Sequence, residues 1–235
     1  MSSQDKSETD RLEFWQQKWD SNRIGFHNKD VHSMLVKYAD KLSPASKPQN
    51  IFVPLCGKSV DMKWFADQGI QTVGVEGIQE AIQQFYTEQG LEWEEKTVPA
   101  LGATGKLFSS KNGMLKLYCG DIMNFSGEIA GQFEAVWDRG SLSALNRQDV
   151  DRYIKVIKGL LKAGGRILVE LVEYDATIFD EPNRKSRPPP PHAMYERDLK
   201  SLYEPEYSVE FLDREACELM GKAIHQSLYL IAKSQ

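Results

Sequence analysis

Residues 51–76 read IFVPLCGKSVDMKWFADQGIQTVGVE. Ile51-Phe52-Val53 is a short, wholly apolar run, as expected of a strand buried on both faces. It passes through Pro54-Leu55-Cys56-Gly57-Lys58-Ser59 into a helical pattern holding Met62, Trp64 and Phe65. Gly69 closes that helix, and Thr72-Val73-Gly74-Val75-Glu76 reads as a second strand. Strand, helix and strand at this spacing predict a βαβ unit and a parallel sheet. In such a sheet ligands bind beyond the carboxyl ends of the strands. Gly57 stands there, permitting a tight turn or close backbone approach, and the following helix directs N–H groups into the crevice. Glu76 follows Gly57 by 19 residues and ends the second strand. A carboxylate at that position is placed to accept bonds from two ribose hydroxyls. Read alone, Glu76 is equally a solvated loop carboxylate. The loop lacks G-x-G-x-x-G, which counts against a dinucleotide. The glycine that precedes a P-loop is also missing upstream of Lys58-Ser59, which disfavours phosphoryl transfer.

The pattern continues in both directions. Ile78, Ile82, Phe85 and Tyr86 mark a helix ending near Gln89-Gly90. Residues 107–119 predict a hairpin around Lys111-Asn112-Gly113, since Asn-Gly is a strong turn signal. Phe133 to Asp138 reads as a strand, and Val150 to Leu161 as an amphipathic helix stopped by Ala163-Gly164-Gly165. Arg166 to Tyr174 contains a further central strand. Val209 to Leu212 and Ser227 to Ile231 have no crossover behind them, so they are expected to pair antiparallel at one edge. Upstream, a helix begins near Asp10 and carries Leu12, Trp15 and Trp19, with Ile24 and Phe26 beyond it; the two tryptophans share one face. Met34, Leu35, Tyr38 and Leu42 give a second helix. Residues 1–9 are hydrophilic and expected to be disordered. About 10–48 form an N-terminal helical cap and 49–235 the α/β core of a single domain. Asn183 to His192 carries four consecutive prolines, at 188–191, and is neither helix nor central strand.

The chain has 235 residues, 41% hydrophobic and 27% charged. Acidic residues exceed basic ones, 34 against 29, for a net charge of −5. With no concentrated basic face, nucleic acid is excluded as an expected partner. No apolar run approaches the roughly 20 residues that cross a bilayer. The polar N-terminus lacks a secretory signal. Cys56, Cys119 and Cys217 are odd in number, without a C-x-x-C pair, so neither a disulfide framework nor structural zinc is expected. The histidines and methionines have no ligand spacing, so no metal is expected either. The compartment implied is reducing and cytoplasmic.

Two further stretches carry chemistry. In Cys119-Gly120-Asp121-Ile122 the acid can accept a bond from an exocyclic amine such as that of adenine, with Ile122 packing on the ring; a plain Gly-Asp turn is as good a reading. In Trp137-Asp138-Arg139-Gly140 the Arg at a strand terminus can hold an acidic substrate group or orient a carboxylate. Cys56 has no local His or Asn partner and is assigned to structure. His27 is expected to make a polar contact in the cap.

These residues resemble one family. FVPLCGKSVDMKWFADQGIQTVGVE and IQQFYTEQGL, with WQQKWDSNRIGFH, KLYCGDI, VWDRGSL and PPPPHA, are similar to the thiopurine S-methyltransferase family from about residue 13 onward. The resemblance implies a Rossmann-like class I methyltransferase. Its sheet would have seven mostly parallel strands, the last one antiparallel. It implies S-adenosylmethionine as cofactor, S-adenosylhomocysteine as product, and methyl transfer to the sulfur of a small aromatic or heterocyclic thiol by a monomer. Trp15, Trp19 and Phe26 would then close over the cofactor, and Leu55 lie beside its methionine part. Glu76 would bind ribose, Asp121 and Ile122 adenine, and Arg139 the methionine moiety and substrate. Phe26 also corresponds to a substrate-facing aromatic. No catalytic side chain is required for an acceptor thiol already ionised near neutral pH; Asp138 is at most an orienting group. Gly77 departs from the larger apolar residue expected there and would loosen packing around adenine. Gly120-Asp121 and the basic, proline-heavy stretch from Asn183 also depart from the family pattern. Two other readings are weighed: methylation of other soft nucleophiles (aliphatic thiols, selenium or tellurium species, halide), and a nucleoside-binding module without turnover.

Overall fold

A computed structural model describes the chain except for residues 1, 2, 44, 45, 176, 178–189, 220 and 235, with backbone only for 3–10. The chain groups into two compact units, residues 1–36 with 49–131, and 37–48 with 132–235. The first unit opens with helix α1 (Ser3–Asp20). It starts seven positions before the expected Asp10 and takes in most of the stretch expected to be disordered. Next comes α2 (Ser33–Tyr38), within which the division between the units falls. Strand β1 (Asn50–Val53), α3 (Asp61–Asp67) and β2 (Gln71–Glu76) form the predicted βαβ unit. They lead to α4 (Gln79–Glu88), β3 (Trp93–Thr97), β4 (Lys106–Ser110), β5 (Leu115–Cys119) and a short α5 (Gly127–Ala130).

The strand order here is β3-β4-β5-β2-β1. β2 lies parallel to β1, with Asn50 opposite Gln71 and Val53 opposite Gly74, and parallel to β5, with Glu76 opposite Cys119. Ile51, Phe52, Val73, Val75 and Leu117 are buried, which is why these strands read as apolar runs. At Gly74 a Cβ would lie 2.7 Å from Cys56 Sγ and 2.9 Å from Leu117 Cδ2, so Cys56 fills core space that a side chain at 74 would need. The predicted hairpin is β4 and β5, antiparallel with Phe108 opposite Leu117. Its turn is held by Asn112 Oδ1, which accepts from Ser110 Oγ at 2.7 Å and Met114 N at 3.1 Å. The Tyr86 hydroxyl donates to Phe108 O at 3.0 Å, fastening α4 to the hairpin.

The second unit holds β6 (Phe133–Arg139), α6 (Ser141–Ala144), α7 (Arg147–Leu160), β7 (Leu161–Glu173), α8 (Glu196–Tyr203), β8 (Tyr207–Leu219) and β9 (Lys222–Lys233). Its strand order is β6-β7-β9-β8. β6 and β7 are parallel, while β9 runs antiparallel to both β7 and β8, the edge expected from the sequence. α7 buries Val150, Tyr153, Ile154, Ile157 and Leu160. It stops at Leu160, before the glycines, because Leu161 already pairs with Phe133.

The described residues hold nine strands, not the seven expected. The excess is β3 with its partner β4, which extend the sheet beyond β5. Trp93-Glu94-Glu95-Lys96-Thr97 is largely exposed and has no apolar alternation, so no burial pattern announces it. Most of the proline-heavy stretch from Asn183 lies outside the described residues. From Pro191 to Tyr195 the chain is irregular, anchored by His192 N donating to Ser143 O at 2.7 Å. Among the described residues no helix is long and apolar enough to cross a membrane.

Asp138 lies at the heart of the second unit. It is fully buried and accepts from the Tyr153 hydroxyl at 2.7 Å. Desolvation pushes its pKa up to about 6, with the Glu170 charge adding and the Tyr153 and Ser141 bonds opposing. A buried acid with a raised pKa binds more protons folded than unfolded between about pH 4 and 6. Folding stability is therefore expected to fall as pH rises through that window and to level off above it. In Asp138→Asn that descent should shrink by about 1–3 kcal/mol, read from urea unfolding at pH 4, 5, 6 and 7. Parallel profiles for the two proteins would show that Asp138 does not titrate there.

Candidate active site

The loop between β1 and α3 has unusual backbone geometry. Leu55 has φ 42° and Gly57 φ 50°, both left-handed. A leucine in that region is strained by about 1–2 kcal/mol and persists only where the surroundings enforce it. Two bonds do so. Cys56 N donates to Val75 O at 3.0 Å, and Gly57 N donates to Glu76 Oε2 at 2.9 Å. Glu76 Oε1 in turn accepts from Ile78 N at 2.9 Å. The carboxylate at the end of β2 thus grips both the loop after β1 and the entry to α4. Glu76 keeps some solvent contact, yet desolvation moves its pKa up, against the Ile78, Gly57 and Gly77 N–H groups that stabilise its charge. Gly57 N thus meets Oε2 and Ile78 N meets Oε1, and a carboxylate has about four acceptor sites in all. Burial, followed by the Glu76 charge, raises the Cys56 thiol well above its ordinary value, so it stays protonated and is no nucleophile.

Asp121 is buried at the end of β5. Its Oδ1 accepts from Met123 N at 3.1 Å, so the turn reading holds, while Oδ2 accepts from Arg11 Nη2 at 2.8 Å. Ile122 is 1% exposed and packs in the core.

Helix α1 supplies the aromatics. Trp19 is buried in a cluster with Ile78 and Ala81, against which Trp15 and Ile24 pack. Phe26 lies edge-on to Trp15, with ring centroids 5.6 Å apart, and to Trp19 at 6.5 Å; it is 42% exposed. Trp19 is thus packed into this cluster, while Phe26 stays partly exposed. Gly77 does not loosen the site: a Cβ there would lie 2.5 Å from Leu12 Cδ2, so the leucine of α1 fills the space.

Of the residues the structure brings here, spacing gave no role to Arg11, read Leu12 only as a helix position and expected of His27 a polar contact in the cap. Arg11 stands four and eight positions before Trp15 and Trp19, a helical repeat that could have drawn it in. His27 packs on Phe26 with centroids 4.5 Å apart, and its Nε2 accepts from Lys58 N at 3.2 Å. Its Nδ1 lies 3.2 Å from Ile24 O, which fixes the tautomer with the proton on Nδ1.

Asp138 and Arg139 belong to the second unit. Adjacent on β6, they point to opposite faces. Asp138 turns to Tyr153, while Arg139 lies opposite Glu170 of β7, with its Nε 3.9 Å from Glu170 Oε1. Gln226 also donates to Glu170 Oε1, at 3.2 Å.

The residues of the first unit fit an adenosyl group: a carboxylate bonded to the glycine loop, a second, buried carboxylate beyond it, and apolar cover. The fold is that of S-adenosylmethionine-dependent methyltransferases. A solved 1,6-didemethyltoxoflavin-N1-methyltransferase of Burkholderia thailandensis, with S-adenosylhomocysteine bound, is similar at TM-score 0.66 and 14% identity, covering 100% of this chain and 92% of that one. The family model described as Thiopurine S-methyltransferase matches residues 10–227, and the chain belongs to that family. The thiopurine S-methyltransferase of Bos taurus is 36% identical over 86% of this chain and 79% of its own length. That of Oryctolagus cuniculus is 35% identical over 94% and 89%.

Proposed function

We propose that this protein transfers a methyl group from S-adenosylmethionine to the sulfur of a small aromatic or heterocyclic thiol. The observation that carries the reading is Glu76 at the end of β2, its two oxygens bonded to the N–H groups of Gly57 and Ile78, a carboxylate able to accept further bonds from a ribose diol. S-adenosylmethionine, when bound, supplies an electrophilic methyl on a sulfonium sulfur. Glu76 holds the ribose, Asp121 takes the amine of adenine, and Ile122 packs on the base. Leu55 borders the methionine part. Trp15, Trp19 and Phe26 keep water out, and an apolar site favours a reaction in which opposite charges cancel. Alignment of donor and acceptor supplies much of the remaining advantage. Arg139 is assigned to the methionine moiety and the acceptor on the family resemblance, with Phe26 as the second acceptor-facing residue. A thiol ionised near pH 7 needs no general base, so Asp138 has an orienting role at most. The protein acts as a monomer in this reading.

The purified chain, given methyl-labelled S-adenosylmethionine and a panel of thiols, selenols and halides, is expected to label aromatic and heterocyclic thiols foremost. Label confined to aliphatic thiols, selenium or halide would move the acceptor class. Tight binding of the donor with no labelled product would leave a nucleoside-binding module.

A further inference from the structure

α1 lies across the adenosine half of the site. Arg11, Trp15 and Trp19 follow one another at four-residue intervals, so they form a single stripe along the helix. Each end of that stripe lands on a different wall. Trp19 packs on Ile78 and Ala81 at the start of α4. Leu12 occupies the space above Gly77, directly after Glu76. Arg11 reaches Asp121 at 2.8 Å, a contact 110 residues apart in sequence, with the two side chains only 7% and 3% exposed. The outer face, Glu13, Gln16, Gln17 and Asp20, is exposed.

A buried carboxylate is costly unless a charge or hydrogen bonds compensate it, and breaking a buried pair from one side is strongly unfavourable. Charge-assisted bonds in a protected site are also the stronger ones. The Arg11–Asp121 bond therefore ties the far end of α1 to the loop that takes the adenine amine, while the tryptophans fix the near end by apolar contact.

We propose that Arg11 is a positioning residue of the cofactor site: through its buried bond to Asp121 it clasps α1 over the bound adenosine and slows cofactor release. The proposal rests on the methyltransferase reading, with Asp121 at adenine. Asp121 Oδ2 has a second lone pair, so the carboxylate serves Arg11 and an adenine amine together. A clasp of this kind acts on departure more than on encounter, as most changes in affinity do.

The test is stopped-flow tryptophan fluorescence of S-adenosylhomocysteine binding to the full chain, with thermal unfolding alongside. Arg11→Ala is expected to speed dissociation by roughly 10–100-fold, the range for a charged hydrogen bond, with association altered less than about threefold. Arg11→Lys should recover part of the slow release, because an ammonium keeps the charge. Dissociation unchanged in Arg11→Ala beside a lowered melting temperature would reduce Arg11 to a structural role and overturn the clasp. Tighter binding in Arg11→Ala would overturn it too, by showing that Arg11 competes with adenine. Should Arg11→Ala fail to fold, Arg11→Lys decides alone: faster release supports the clasp, and release as slow as in the unaltered protein overturns it. The wild-type arm separates the two claims, since a wild-type protein blind to S-adenosylhomocysteine defeats the methyltransferase reading itself.

Discussion

Glu76→Ala is expected to weaken S-adenosylhomocysteine binding by about 2–4 kcal/mol, the loss of one to two charge-assisted hydrogen bonds. The substitution acts twice. It removes the acceptor for the ribose hydroxyls, and it releases Gly57 N and Ile78 N, which the carboxylate holds at 2.9 Å each. Without that grip the left-handed turn at Leu55 and Gly57 loses one of its two restraints. Folding stability should change far less, because removing a carboxylate whose charge is penalised by desolvation offsets the lost bonds. Glu76→Gln separates the contributions: its carbonyl can keep one backbone N–H, but its amide confronts the other with a second donor. Titration calorimetry gives the numbers. A dissociation constant that does not move in Glu76→Ala would remove Glu76 from the ribose site.

Gly57→Ala is the second large effect expected. The left-handed conformation costs an alanine about 1–2 kcal/mol. The new methyl would also stand 2.4 Å from His27 Nε2. The imidazole must then swing away, and the Lys58 N–H that it accepts at 3.2 Å is left to find water. Together these should cost about 2–3 kcal/mol, shared between folding and cofactor affinity. Gly57→Ala combined with His27→Ala opens space for the methyl and should return the steric share while leaving the backbone strain. Thermal unfolding and calorimetry on the three variants test this. If the double variant is as impaired as the sum of the singles, the two residues are not in conflict and the loop argument fails.

The parallel core was legible because burial on both faces writes itself as uninterrupted apolar runs. Ile51 to Val53, Val73 to Val75 and Ile167 to Val169 each mark a strand, and Asn112-Gly113 marks the hairpin. β3 was not legible, since a charged edge strand is fixed by its neighbour β4 and carries no pattern of its own. Glu76 could be placed from its distance to Gly57, yet its grip on two backbone N–H groups could not, because that depends on the turn at Leu55. Gly77 reads as a gap in the sequence; in space it is filled by Leu12, from an element 65 positions earlier. Arg11 could be set on the tryptophan face from its spacing, but its partner Asp121 could not be read for the same reason. Long-range polar pairs leave no periodicity, and only the fold brings the partners together.

The bond between Arg11 and Asp121 also has a consequence for biosynthesis. Asp121 is synthesised 110 residues after Arg11, roughly 5–20 s later at ordinary elongation speeds. Until then α1 can dock only through its apolar contacts, Trp19 on Ile78 and Ala81 with Trp15 packed against them. A bulky group placed just ahead of α1 would interfere with closing that pair, whereas β9 is already paired with β8 along its length as far as Lys233.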